Sequence, residues 1–249
     1  MDEAACIVAG KGRGYMTREE ILAQKDNLYN ADLCGARLSG VDLSYANLSG
    51  ANLTGAALCN TNLSGAKFAG ANLTGTDLRN ASLRNAYMYS ANLSNANLCE
   101  ADLYCANLER AVMCSSCLRD ANLSSANLSV ADLRYASLCC ANLSSANLSG
   151  ADRRYANLCC ANLSSANLSG ANLYGADLDF SSGIPLHCGG TRIKMDIKLL
   201  QQLAAHLYSM ECVGDELEEA KFFLLKEAIR NFASKSHRAS ECGIEMEDV

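Results

Sequence analysis

A five-residue unit is repeated along the chain from Ala31 to Phe180. Its first six copies, residues 31–60, read ADLCG ARLSG VDLSY ANLSG ANLTG AALCN. A large apolar residue, usually Leu, returns at every fifth position from Leu33 to Leu178, and the residue two positions before it is small and usually Ala. Self-similarity at a fixed short period is typical of a repeat architecture, in which each unit packs against its neighbours.

The period of five matches neither an α-helix nor a plain β-strand. Within one unit, Ala-Asn/Asp-Leu alternates inward, outward and inward, as in a short extended segment, and the next two residues suit a turn. A second period of twenty is nested on the first, because residues 135–154 match residues 155–174 at sixteen of twenty positions. Four units per turn predict a coil of square cross-section, and the thirty units make about seven and a half coils.

Units of the type ANLSG resemble those of the pentapeptide repeat family. The resemblance covers residues 31–180 and implies an all-β solenoid, a right-handed parallel quadrilateral β-helix whose interior is filled by the Leu/Phe and Ala positions. Coils stacked at ~4.8 Å would give a rod of roughly 36 Å. We expect the outward Asn residues to form columns of stacked amides.

One position breaks the apolar column. Arg153 stands where every other unit has Leu, Phe or Met. Because burial of an unpaired guanidinium is costly, we predict a local bulge that lets Arg153 reach solvent beside Asp152. A functional kink at this position is the alternative.

The segments on either side of the repeats are predicted to be helical. Residues 1–30 form an N-terminal cap, with a short helix that starts at the capping box Thr17-Arg-Glu-Glu20 and ends at about Gln24.

Residues 181–249 form an exit loop and two amphipathic helices, at about 196–210 and 215–233. Helical C-terminal segments make dimers in some members of the family. We therefore expect these helices to cap the rod and pair two subunits into a homodimer, through the apolar residues Leu200, Leu207, Phe223 and Phe232.

The sequence favours a non-enzymatic protein without a cofactor. Its three His residues, His187, His206 and His237, all lie outside the repeats, so no Ser in the repeats has a His base beside it. The chain has no N-terminal signal pattern and no run of eighteen apolar residues. We predict a cytoplasmic location, no membrane contact and reduced thiols for the fourteen Cys residues.

Two groups of Cys residues are weighed as metal sites. Sorting by the twenty-residue coil places Cys59, Cys99, Cys139 and Cys159 on one face, with Cys117, Cys140 and Cys160 beside them. Cys139-Cys140 lies one coil from Cys159-Cys160, a spacing compatible with a disulfide or a four-thiolate metal site. The alternative is that small outward residues vary freely among Ser, Cys and Gly. A second set near the C-terminus, Cys188, His206, His237 and Cys242, has spacings that match no compact zinc finger.

The remaining question is what the outer surface binds. Some members of the family resemble a B-DNA rod and bind DNA gyrase, which gives fluoroquinolone resistance. Duplex DNA of this length would carry about twenty negative charges. Residues 31–180 hold eleven Asp/Glu and nine Lys/Arg, a net charge of −2.

The repeats therefore carry far fewer negative charges than a DNA mimic of this length would need. Their surface is also not basic enough to bind nucleic acid directly. We expect a protein partner of unknown identity, bound through Arg134, Tyr135, Arg154, Tyr155 and Tyr174 or through the C-terminal helices. A DNA-mimicking inhibitor or protector of a DNA-handling enzyme and an inert structural spacer are the alternatives.

Overall fold

Every fifth residue of the repeats turns the chain through a corner. The computed structural model describes residues 17–178 and 181–182. At the fifth position of each unit the backbone has a positive φ, between 53° and 70°, from Asn30 to Gly175. The N–H of the next residue donates to the carbonyl oxygen three positions back, as Ala36 does to Leu33 at 3.0 Å. A positive φ at the third residue of such a turn is the requirement of type II geometry.

Four corners return the chain to the same side, so each residue lies beside the residue twenty positions later. All the bridges are parallel and join position i to position i+20, beginning with Asp32 to Asn52 and ending with Asn162 to Ser182. Each bridge involves one residue per unit, and among the described residues no strand is longer than that. The square coil predicted from the nested periods is confirmed by this pairing.

The backbone donors of each unit are bonded to neighbouring coils or to the unit itself. In the unit that begins at Ala121, Asn122 donates to the Ala101 carbonyl at 2.9 Å, and Leu123 donates to the Asn142 carbonyl at 2.7 Å. Ser125 donates to the Ser144 carbonyl at 2.9 Å. Unpaired buried N–H groups are costly, so this accounting explains how so short a unit forms a stable coil.

The backbone N–H of the fourth residue in a unit donates a hydrogen bond to a side chain of the same unit. Wherever the second residue is Asn or Asp and the fourth is described, its Oδ1 accepts from that N–H, at 2.9–3.4 Å. This Asx turn gives a local reason for Asn and Asp at the second position. The predicted amide stacking also occurs, as between Asn147 and Asn127 at 3.2 Å.

The core is a column of Leu side chains lined by Ala. Apart from Arg153, the described third positions from Leu33 to Leu178 hold Leu, Phe or Met that is at least 98% buried. At the first position of three units, a Thr or Ser replaces the small apolar residue. Each hydroxyl donates a hydrogen bond to a backbone carbonyl, at 2.7–2.9 Å: Thr61 to Leu38, Thr76 to Leu53 and Ser116 to Met113. These hydroxyls therefore fit the core without an unpaired polar group.

The prediction of a bulge at Arg153 is wrong. The Arg153 N–H donates to the Asn172 carbonyl at 2.9 Å, and Asp152 keeps its bridge to Asn172, so the register continues unchanged. The side chain is fully buried, and its three guanidinium nitrogens have no hydrogen-bond partner. Burial lowers the pKa of Arg153 to about 9. The ladder bonds to the coils above and below hold the backbone in register, so the side chain stays inside.

The described N-terminal segment contains a helix, α1, Arg18–Ala23, and a 3₁₀ turn, Lys25–Asn27. The predicted capping box is present, with the Glu20 N–H donating to Thr17 Oγ1 at 3.2 Å and the Thr17 N–H to Glu20 Oε2 at 2.8 Å. Arg18 donates to the Ser39 carbonyl, and the Lys25 carbonyl accepts from the Asn47 N–H at 2.9 Å. The segment therefore contacts the first coil.

The chain divides into two units, Met1–Lys194 and Met195–Val249, and every described residue belongs to the first. The predicted C-terminal helices, with Leu200, Leu207, Phe223 and Phe232, lie outside the described residues. In the described part of the chain, no helix has the length and apolar character needed to cross a membrane.

Candidate interaction surface

One face near the end of the repeats carries a stack of tyrosines. Tyr135 and Tyr155 occupy the same corner in consecutive coils, with parallel rings whose centroids are 5.2 Å apart. Tyr174 adds a third ring, perpendicular to Tyr155 at 5.9 Å. About half of each side chain remains exposed, between 49% and 58%. Together with Arg134 and Arg154, these rings form what we call the tyrosine patch.

The Tyr155 ring lies directly over a glycine of the next coil. A Cβ at Gly175 would lie 2.6 Å from Tyr155 Cδ1, which is closer than packed atoms allow. Tyr45 has the same relation to Gly65 at the other end of the repeats. Glycine in the following coil therefore gives a corner tyrosine the space to lie flat along the solenoid.

The two arginines of the patch are fixed by carboxylates of their own units. Arg134 donates from Nε and Nη2 to Asp132 at 2.8 and 2.7 Å, and Arg154 makes the same paired contact with Asp152 at 3.0 and 2.7 Å. Arg134 also lies 4.0 Å from Asp152. This two-bond geometry holds each guanidinium in one orientation beside the rings.

These bonds shift the protonation equilibria of both partners. The hydrogen bond from Arg134 holds the pKa of Asp132 below its usual range, and Arg154 does the same to the pKa of Asp152. The pKa of each arginine is raised in return. At neutral pH the patch therefore presents ordered, mutually neutralised charges as well as three aromatic rings.

A second aromatic cluster lies in the middle of the repeats and was not predicted from the sequence. Tyr87 and Tyr89 stack at 6.3 Å, and Arg110 donates to the Tyr89 hydroxyl at 3.2 Å. On the next face, Arg84 lies 4.6 Å from the centre of the Tyr104 ring. Arg84 and Tyr104 are twenty residues apart, so sorting by coil position would have found this pair.

The cysteines of the repeats are free thiols. Cys139 and Cys140 have their Sγ atoms 3.6 Å apart, and Cys159 and Cys160 repeat this geometry one coil later. Among residues 17–178 and 181–182, no group of three or more His, Cys, Asp or Glu is arranged to hold a metal ion. The second proposed set, Cys188, His206, His237 and Cys242, lies outside the described residues.

Parallel bridges at a constant spacing of twenty residues define a β-solenoid repeat protein. The family model of pentapeptide repeats matches the sequence in overlapping copies between residues 27 and 179, at 27–65, 46–85, 61–98, 91–129, 116–152, 126–159 and 154–179. This match covers more than half of the chain. The protein belongs to the pentapeptide repeat family.

Solved structures of the same family resemble the chain. Full-length QnrB1, a plasmid-mediated fluoroquinolone resistance protein, is 23% identical with a TM-score of 0.59, and the match covers 67% of this chain and 84% of QnrB1. HetL, involved in heterocyst differentiation regulation in the cyanobacterium Nostoc sp. strain PCC 7120, is 33% identical with a TM-score of 0.32, over 67% and 92% of the two chains. No curated protein matches the sequence significantly.

Proposed function

We propose that this protein is a non-enzymatic scaffold that binds another protein through the tyrosine patch. The observation that carries the proposal is the stack of Tyr135, Tyr155 and Tyr174, half exposed and held in place by the coil beneath. Tyr and Arg are enriched at protein interfaces, and side chains that are already ordered lose little entropy on binding.

The charges of the patch support a protein partner over nucleic acid. Both patch arginines are already paired with carboxylates, so they offer no unpaired positive charge to a phosphate backbone. Their N–H groups and the tyrosine hydroxyls suit the polar rim of a protein interface. A cytoplasmic location stays a prediction from the sequence.

The patch is tested by removing its rings without disturbing the corner. Ser occupies the same fifth position of the unit with the same left-handed φ at Ser125, Ser145 and Ser165, so Tyr135→Ser/Tyr155→Ser retains a backbone that the repeats already use. Tyr45→Ser is the matched control, since Tyr45 is also an exposed corner tyrosine but lies far along the chain from the patch.

The experiment is affinity capture from the native host with three forms of the full chain. We expect a protein that is retained by the wild type and by Tyr45→Ser and is lost with Tyr135→Ser/Tyr155→Ser. Equal capture by all three forms would contradict a role for the patch. Capture of no protein by the wild type would favour an inert spacer.

A DNA-mimicking protector of DNA gyrase is the second candidate. The family membership and the fold shared with QnrB1 favour it. The low net charge of the repeats opposes it, and so do the ion pairs that neutralise Asp77, Asp102, Asp132 and Asp152. A supercoiling assay tests it directly, because a gyrase-binding protein would change supercoiling or its inhibition by a fluoroquinolone.

The C-terminal residues supply the last part of the proposal. The apolar residues predicted for two helices, with Leu200, Leu207, Phe223 and Phe232, are more numerous than one coil end needs. They would pair two subunits and so present two tyrosine patches in one dimer. Light scattering at micromolar concentration tests the pairing, and the mass of a monomer would overturn it.

A further inference from the structure

One corner of the solenoid holds two vicinal pairs of thiols in consecutive coils. The Sγ atoms of Cys139 and Cys140 are 3.6 Å apart, and so are those of Cys159 and Cys160. Cys140 and Cys160 both have a φ of 59°, and the Cys140 N–H donates to the Cys159 carbonyl at 2.9 Å. The same turn therefore fixes the same separation of the sulfur atoms twice.

The geometry of these pairs restricts the ligands that they suit. Structural zinc takes four protein ligands around one centre, and the described residues contain no group of even three His, Cys, Asp or Glu that could hold a metal ion. Two neighbouring sulfur atoms on one side of a ligand are sufficient for a soft centre with pyramidal bonding. Trivalent arsenic has this geometry, whereas two-coordinate mercury holds its sulfur atoms on opposite sides of the metal.

We propose that each vicinal pair, Cys139-Cys140 and Cys159-Cys160, is a binding site for a monosubstituted trivalent arsenical. In the reaction of R–As(OH)₂ with one pair, two As–S bonds form and two As–OH bonds break. Each S–H proton leaves with a hydroxide as water, so two waters are released. Arsenic stays trivalent and both sulfur atoms keep their oxidation state, so the step needs no oxidant or reductant.

The protonation of the thiols fits this chemistry. A hydrogen bond with the neighbouring thiol, together with burial, raises the pKa of Cys140 to about 11 and the pKa of Cys159 to about 12. At neutral pH these two groups are protonated, which opposes alkylation and the binding of metal ions that need thiolates. Condensation with an arsenical uses the thiol protons to make water.

Native mass spectrometry of the reduced full chain with phenylarsine oxide tests the proposal. An excess of a monothiol removes arsenic held by a single Cys, whereas a cyclic dithiolate is retained. We expect Cys139→Ser/Cys159→Ser to retain two fewer adducts than the wild type, and each single variant to retain one fewer. Because the measure is a difference, adducts on other cysteines cancel.

The control variant is Cys34→Ser/Cys59→Ser, which removes an exposed thiol and one that contacts the Ser39 hydroxyl, and it should retain the wild-type number. Ser is already common at the fourth position, as at Ser124 and Ser144, so the test variants should keep the β-solenoid spectrum. An unchanged adduct count in Cys139→Ser/Cys159→Ser overturns the proposal. A loss of the same two adducts in the control also overturns it.

Discussion

Arg153 is the least favourable residue in the interior of the solenoid. Its guanidinium is fully buried, and its three nitrogens have no hydrogen-bond partner in the structure. Burial of an unpaired charge costs several kcal/mol, and Leu fills the same position in neighbouring coils at Leu133 and Leu173. The surrounding coils must offset this cost through their own packing.

We predict that Arg153→Leu stabilises the protein by about 3 kcal/mol, a value typical of an uncompensated buried charge. Thermal unfolding followed by circular dichroism measures the change. Arg154→Leu is the control and should give no such gain, because its guanidinium lies outside and is paired with Asp152. A melting temperature for Arg153→Leu at or below that of the wild type would contradict the buried position.

Val130 has a backbone conformation that its own side chain disfavours. It has a φ of 58°, which is unfavourable for a β-branched side chain, and its side chain is 58% exposed, so little burial compensates. Asn adopts the same φ at Asn60, Asn80 and Asn95. We predict that Val130→Asn stabilises by about 1 kcal/mol, the usual cost of such a conformation. In denaturant unfolding, Ser125→Asn should change the midpoint less, and an equal shift in both variants would count against backbone strain at Val130.

At the scale of the five-residue element, the Asn or Asp side chain links the turn to the stack. Asn147 accepts from the Ser149 N–H at 3.2 Å, and its side-chain amide donates to Asn127 Oδ1 and accepts from Asn167 Nδ2, each at 3.2 Å. We predict that Asn147→Ala destabilises by about 1 kcal/mol or more, since it removes the partner of a backbone N–H. Ser137→Ala is the matched control at the same position. Equal unfolding midpoints for the two variants would show that the Asx bond contributes nothing.

The period of the element and the position of its turn were predictable from the sequence, but the backbone conformation of the turn was not. The alternation of Ala, Asn and Leu gave the inward and outward positions, and the twenty-residue match gave four units per coil. The positive φ at each corner was missed because residues as different as Tyr45, Glu100 and Val130 occupy the fifth position beside glycines. Stacking with two neighbouring coils overrides the local preference of these side chains.

The Arg153 prediction failed for a related reason. The prediction considered only the free-energy cost of burying one guanidinium. It did not include the backbone hydrogen bonds between coils that a bulge would break. Asp152 is bridged to both Asp132 and Asn172, so slipping this residue would disturb two coils. The tyrosine patch was predictable, because Tyr135 and Tyr155 share a position in the twenty-residue period. The pairing of its arginines with Asp132 and Asp152 needed coordinates.

At the scale of the whole molecule, a uniform interior leaves only the outer positions free to vary. The Leu and Ala columns repeat almost unchanged, whereas the tyrosine patch and the thiol corner each occupy consecutive coils near the end of the repeats. Because the coils stack, residues that are twenty positions apart in the sequence are neighbours in space. Surface clusters in such a protein therefore combine residues spaced by twenty, such as Tyr135 and Tyr155.

Contacts between residues twenty positions apart distinguish the square coil from any other fold of this sequence. Nuclear Overhauser spectroscopy of the labelled full chain measures them directly, and Val112, Asp132 and Asp152 hold equivalent positions on one face in three consecutive coils. We predict cross-peaks from the Asp132 backbone to both Val112 and Asp152. Their absence, together with contacts from each residue to those three and four positions away, would indicate a helix and contradict the coil.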